Sequence, residues 1–304
     1  MLHLRVVCPQ ETAERVVDAL NGHVGVVAIR LAGPSSSGYE VNADLARECA
    51  DAVLESLHEL DVPGQGMITM EPLDTAIGSL VDRAERDAPG EGADALIWDE
   101  LIDRTGEDSA LTGMFVAFMV LATLLASIGV VTDSPITIVG AMVVGPEFGP
   151  LAGVAVGLIR HRTGIVRRAA LALAVGFPAA IVITSLLALI ARGVGLISPA
   201  DITGPGRETE FIYHPGWFSL ITALVAGTAG MLSLTSSKSA ALVGVFISVT
   251  TIPAAGNAAV GGVLGRWHET WQSLAQLGIN LVGIVAAGVV TLLVLHRVAQ
   301  ARAA

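Results

Sequence analysis

Residues 134–159 read SPITIVGAMVVGPEFGPLAGVAVGLI, and residues 239–264 read SAALVGVFISVTTIPAAGNAAVGGVL. At an offset of 104 positions, IVGAMVV (138–144) falls over LVGVFIS (242–248) and Gly157 falls over Gly261. The same offset sets LATLLASIGVVTDSP (121–135) over VAGTAGMLSLTSSKS (225–239), and the apolar stretch 169–192 over 273–296. The chain thus carries a weak internal repeat, copy 1 at about 110–192 and copy 2 at about 214–296. Each copy holds three stretches long enough to cross a bilayer core, which takes about 20 residues. Three crossings per copy force the second copy into the membrane upside down, an architecture that sets substrate sites near the midplane at broken helices.

Composition agrees. The 304 residues are 53% hydrophobic and only 15% charged, too apolar for an ordinary soluble protein. Residues 1–108 hold 22 Asp/Glu against 7 Lys/Arg, a net of −15, whereas residues 109–304 hold 6 against 10, a net of +4. The change of sign marks a domain boundary near residue 108. An acidic first third argues against nucleic acid as a partner, since neutralising phosphates needs a basic surface.

The first third reads as soluble. LHLRVVC (2–8), VGVVAIRLAG (24–33), GYEVNADL (38–45) and GMITMEPL (66–73) are strand candidates. ETAERVVDALNG (11–22) and RECADAVLESLHEL (47–60) have helical apolar spacing, and Pro34–Gly38 is a turn signal. The order βαββαβ over residues 1–75 predicts a small α+β, ferredoxin-like domain. Residues 76–108 predict an amphipathic helical connector, 75–88 and 94–104, split by Pro89-Gly90-Glu91-Gly92. Leu96, Ile97, Leu101 and Ile102 are its apolar positions, expected against the membrane part or a neighbouring subunit. Cys8 and Cys49 lack metal or redox spacing and are expected as reduced core thiols.

Residues 109–304 predict an all-α bundle of six spans, near 110–131, 135–159, 169–191, 216–235, 239–264 and 273–295. The connection 160–168 has four arginines, Lys238 lies between spans four and five, and Arg297 and Arg302 follow span six. The positive-inside rule makes that side cytoplasmic, in accord with a start that lacks a signal-peptide pattern. The expected setting is a prokaryotic plasma (inner) membrane with both termini in the cytoplasm. A homo-oligomer is left open.

Within span two, Gly145, Gly149, Gly153 and Gly157 recur every four residues, a ladder on which another helix can pack closely. Pro146 and Pro150 each lack an amide hydrogen and clash with the preceding turn, so the helix is expected to break near 145–150. Glu147 sits at that break and is the only ionisable side chain within the six stretches. A carboxylate there must be protonated, paired or holding a cation. The matching part of span five offers Thr250, Thr251, Pro253 and Asn257, and Asn280 of span six matches Gly176 of span three. The expected site lies where the two breaks meet. Glu147 supplies charge, Thr250, Thr251, Asn257 and Asn280 polar contacts, and amides near Gly149–Gly153 any anionic group.

No phosphate-binding loop, zinc spacing or nucleophile elbow occurs, and no cofactor, metal or enzymatic activity is expected. The expectation is a secondary transporter of a small polar or anionic solute or ion. A membrane-anchored ligand sensor or scaffold and an ion channel are the alternatives.

The run SPITIVGAMVVGPEFGPLAGVAVGLIRHR resembles the signature of a prokaryotic multi-pass membrane family, domain of unknown function 389. Members read much like SPxxxIGAM followed by Pro-x-x-x-Pro, and Ser134, Pro135, Gly140, Ala141, Met142, Pro146 and Pro150 fit that pattern. The resemblance extends over the soluble part and all six spans. It implies the topology and no substrate, and many members carry an apolar residue where this chain has Glu147.

Overall fold

The computed structural model describes residues 1–35, 38–88, 96–203, 207–209, 216–235 and 251–303. The chain forms two compact units. Met1–Asp99, Thr235–Ser237 and Leu295–Ala304 make one, Glu100–Leu234 and Lys238–Val294 the other.

The first unit is built on β1 (Leu2–Cys8), α1 (Gln10–Gly22), β2 (Val26–Ser35), β3 (Gly38–Leu45), α2 (Ala50–Glu59), α3 (Val62–Gln65) and β4 (Met67–Pro72). The strands form one antiparallel sheet in the order β2-β3-β1-β4, so β3 lies between the two strands that α1 connects. Alternation in β1 sends Leu2, Leu4, Val6 and Cys8 into the core and leaves Arg5 outside. Ala13, Val16 and Leu20 of α1 and Ala50, Val53, Leu54 and Leu57 of α2 join them at helical spacing. Each such side chain, fully buried, contributes about 1.5–3 kcal/mol if it is a Val or Leu.

Backbone details correct the expected edges. Gly25 turns at φ +83°, where a Cβ would come within 2.5 Å of Cys49 Sγ, so β2 starts at Val26 and not at 24. Ala28, at φ 53°, sits in a bulge between Val27 and Arg30. Both cysteines are free and buried, and burial pushes the Cys49 thiol up to about 11, which makes it a poor nucleophile at neutral pH.

Two helices follow, α4 (Ser79–Asp87) and α5 (Trp98–Asp108), each starting a few residues later than expected. Ile97, just before α5, packs into the core of the sheet unit. The Trp98 amide donates to Asp51 at 3.2 Å, and its ring meets His296 edge-on at 5.6 Å.

The second unit holds α6 (Gly113–Val131), α7 (Pro135–Val144), α8 (Phe148–Ile159), α9 (Thr163–Gly193), α10 (Trp217–Thr235), α11 (Ile252–Val263) and α12 (Trp267–Ala303, its last residues in the first unit). Thr112 caps α6 by accepting from the Phe115 amide, and Ser134 caps α7 with Pro135 at the first turn. Among the described residues, α6, α9, α10 and α12 are each long and apolar enough to cross a membrane. The α7–α8 pair, bent by 53°, makes a fifth crossing if read as one span. Of the expected 239–264 span only the part from Thr251 onward lies within the described residues, so the six-span count stands as an expectation. Large side chains point outward, as Phe118, Leu121, Leu125 and Ile128 do on α6, while Ala122, Ala126 and Gly129 face inward. Apolar bulk outside and small residues inside is the pattern of helices solvated by lipid.

Helix boundaries recur at the sequence offset. α6 and α10 span 113–131 and 217–235, α8 and α11 span 148–159 and 252–263, and α9 and α12 begin at 163 and 267. Even the turns match. His161 and Gly265 both have positive φ, and the Arg162 amide donates to Gly157 O at 2.9 Å as the Arg266 amide does to Gly261 O at 2.8 Å. The segment that would match α7 lies outside the described residues.

Candidate functional site

The break falls at Gly145, Pro146 and Glu147. Pro146 cannot donate an amide to continue α7, Gly145 leaves the helical region at ψ 124°, and α8 restarts with Glu147 as its N-cap. Pro150 sits in the first turn of α8, where a missing amide costs nothing. Thr251 is the N-cap of α11, and Pro253 again lies in the first turn. Both helices therefore open on a capping residue followed by a proline in the first turn.

The two caps touch. Thr251 Oγ1 donates to Glu147 Oε1 at 2.7 Å, with both side chains wholly buried. They are 104 residues apart, the offset of the repeat. An ionised carboxylate costs several kcal/mol when buried and is held only with partners or a counter-charge. Of the sequence-expected residues, the structure joins Glu147 with Thr251 and sets Gly145 and Pro146 at the bend beside them. Thr250 lies outside the described residues.

Asn257 and Asn280 belong to a polar face. Asn257 Nδ2 donates to Ser273 Oγ at 2.8 Å across α11 and α12. Ser273, Gln276 and Asn280 follow at spacings of three and four on α12 and are all buried. Ser273 and Gln276 are not among the sequence-expected site residues. Their spacing with Asn280 was the available signal.

The glycine ladder packs, but not against the elements its name suggests. A Cβ at Gly149 would reach Asp108 Cβ at 2.5 Å, one at Gly153 would strike Ser109, and one at Gly157 would reach Val166 at 2.7 Å. The end of α5 and the segment after it thus lie against the first two turns of α8, occupying the flank where amides were expected to meet an anion. Burial raises the Asp108 carboxyl above its ordinary range, Glu107 adding to the shift and Arg104 opposing it. A Cβ at Gly176 would reach the ring of Phe115 at 2.7 Å and, next, Met119 at 3.6 Å. Away from this region, Asp133 accepts from Thr209 Oγ1 at 2.7 Å and from the Thr209 and Glu208 amides, which holds its carboxyl below the usual range. Among the described residues no cluster of three metal-ligating side chains occurs.

Comparison with known proteins agrees with the resemblance drawn from the Ser134–Pro150 run. Residues 142–286 match the family described as Domain of unknown function (DUF389). The match begins inside α7 and ends within α12, so it covers the α8 and α11 caps and the polar face. The chain is also similar to Uncharacterized protein MJ0678 of Methanocaldococcus jannaschii, 25% identical over 209 residues, which is 68% of this chain and 62% of the relative. The chain thus spans less than two thirds of that relative's length. No solved structure matches.

Proposed function

We propose that this protein is a secondary transporter of a small polar solute or ion, working by alternating access around the Glu147–Thr251 contact. One observation carries the reading. Two positions at the repeat offset are hydrogen-bonded to each other in a buried place, at the N-caps of two half-helices. Residues at equivalent positions of an inverted repeat can touch only near its pseudo-twofold axis. That is where inverted-repeat transporters hold their cargo. The coincident boundaries of α6 with α10 and of α8 with α11 support the same arrangement.

On this reading the six spans form an inverted 3+3 repeat in a prokaryotic inner membrane, and residues 1–75 make a cytoplasmic ferredoxin-like domain. Rocking of one repeat against the other would open Glu147 to each side in turn. The protein does no covalent chemistry.

Purified full-length protein in liposomes tests this by counterflow. Transport by alternating access gives protein-dependent, saturable uptake that is accelerated by unlabelled solute preloaded inside. A channel gives flux without that acceleration. No protein-dependent movement of any solute or ion tried would overturn the reading, and ligand binding confined to the N-terminal domain would favour a sensor.

A further inference from the structure

We infer that the turn between α8 and α9 holds the headgroup of an anionic phospholipid. Arg162, Arg167 and Arg168 take the phosphate, and the exposed apolar side of α9 takes an acyl chain. Such binding needs a bilayer around α9 and is independent of alternating access.

The two copies share this turn and fill it differently. The Arg162 amide donates to Gly157 O as the Arg266 amide donates to Gly261 O, so the two arginines hold matching backbone positions. In copy two the charge is cancelled within the turn. Arg266 Nε donates to Glu269 Oε1 at 2.9 Å, and Glu269 is buried. Trp267 and Trp271 flank that pair, 62% and 68% exposed. Residues 264–272 carry one Arg and one Glu, a net of zero. In copy one, Ile165 stands where Glu269 does, and Thr163 and Arg167 stand where the tryptophans do. Residues 160–168 carry four Arg and no Asp or Glu, a net of +4.

Nothing described in the chain offsets that charge. All four arginines are exposed, and among the described residues Arg162, Arg167 and Arg168 meet no carboxylate. α5 brings Asp108 to α8, but at Gly149, three turns before Arg160. That is about 16 Å along the helix, against a Debye length of about 8 Å. Like charges crowded on one turn repel, and an anion from outside relieves the repulsion. A guanidinium matches phosphate through paired N–H donors. The expected cytoplasmic side of this turn is also the bilayer surface that carries anionic lipid.

The apolar surface beside the arginines decides for a lipid over a free anion. Arg168, Leu171, Val175 and Val182 follow at helical spacing on α9, and the three apolar ones are exposed. Leu158, at the end of α8, is exposed beside the turn. Residues 169–191 carry no charge over about 34 Å, enough for a hydrocarbon core of about 30 Å. The arginines therefore fall at the edge of that core. A cationic turn at the head of an exposed apolar stripe fits a molecule with phosphate at one end and an alkyl chain at the other.

The test is thermal unfolding of full-length protein in detergent, titrated with phosphatidylglycerol, phosphatidylcholine or inorganic phosphate. Saturable stabilisation by phosphatidylglycerol is expected, well above that by the zwitterionic lipid or by phosphate. Arg162→Gln, Arg167→Gln and Arg168→Gln should each weaken the apparent affinity by about fivefold, and the triple variant should lose the preference. Ile165→Glu, which gives this turn the acid of its copy-two counterpart, should weaken binding with every arginine in place. Arg15→Gln with Arg30→Gln and Arg83→Gln removes as much charge from exposed positions of the sheet unit and should keep the preference. Should the triple variant not fold, the single variants and Ile165→Glu still decide. Equal stabilisation by the two lipids, the same effect from inorganic phosphate, or a wild-type response in the single variants and Ile165→Glu would overturn the inference.

Discussion

α8 with α9 and α11 with α12 share one backbone plan and differ in what fills it. In the first pair, small residues at 153, 169, 172 and 176 admit the end of α5 and the Phe115 ring. In the second, Asn257, Ser273, Gln276 and Asn280 stand at the matching positions, and two of them bond each other at 2.8 Å. At the helix starts the difference reverses, with Glu147 in the first copy and Thr251 in the second. The two helix pairs thus differ in their lining, small residues in one and hydrogen-bonding side chains in the other, and Glu147 and Thr251 meet between them. Two glutamates at these positions would have set two buried carboxylates against each other, which repel.

That contrast can be broken at several points. The largest effect is expected at Gly256, where a Cβ would meet Ala126 Cβ at 2.8 Å and the Ser127 amide nitrogen at 2.9 Å. Gly256→Val should cost about 1–3 kcal/mol or more through overpacking against backbone. Gly262→Ala, whose nearest atoms lie at 3.9 Å, should leave the melting temperature in detergent near that of wild type. Equal melting temperatures for the two would contradict the close approach of α11 to α6.

Transplanting polarity comes next. Gly153→Asn with Ala169→Ser copies the second-half pair into the first, yet Ser109 occupies the space, so the double variant should lose about 1–3 kcal/mol. Asn257→Ala and Ser273→Ala, in the half where the pair is native, should each cost about 1 kcal/mol and be non-additive. A stable first-half transplant would show that the two halves differ in composition only.

The smallest effect concerns Asp108. Its folded pKa is raised, so the group favours folding most at pH below its unfolded pKa, and that contribution is lost as pH rises through the folded pKa. Asp108→Asn should flatten the decline of thermal stability on the alkaline side of the carboxylate range. An unchanged profile would mean that Asp108 does not feel its burial.

Much of this was legible in the sequence because the signals were local or periodic. Alternation in LHLRVVC gave β1, the prolines at 146 and 150 gave the break, and the repeat set Thr250, Thr251, Pro253 and Asn257 in the part of span five that matches it. The remainder depended on contacts between distant segments. Nothing near Gly149 and Gly153 announces that α5 will fill their flank, and the ladder alone could not name its partner. Ile97 has the amphipathic spacing of a docking residue, and only the folded chain shows that it joins the core of the sheet unit. Ser273 and Gln276 were hidden by averaging, since a mean over an apolar span hides a polar stripe three and four residues apart.

The account turns on one contact between the copies. A double-mutant cycle on Glu147→Gln and Thr251→Val, read by thermal unfolding of full-length protein in detergent, measures it directly. A coupling of about 1 kcal/mol or more is expected, because either change alters a bond that both residues share. Additivity within about 0.3–0.5 kcal/mol would mean that the two caps do not meet, and the shared site would fall with them.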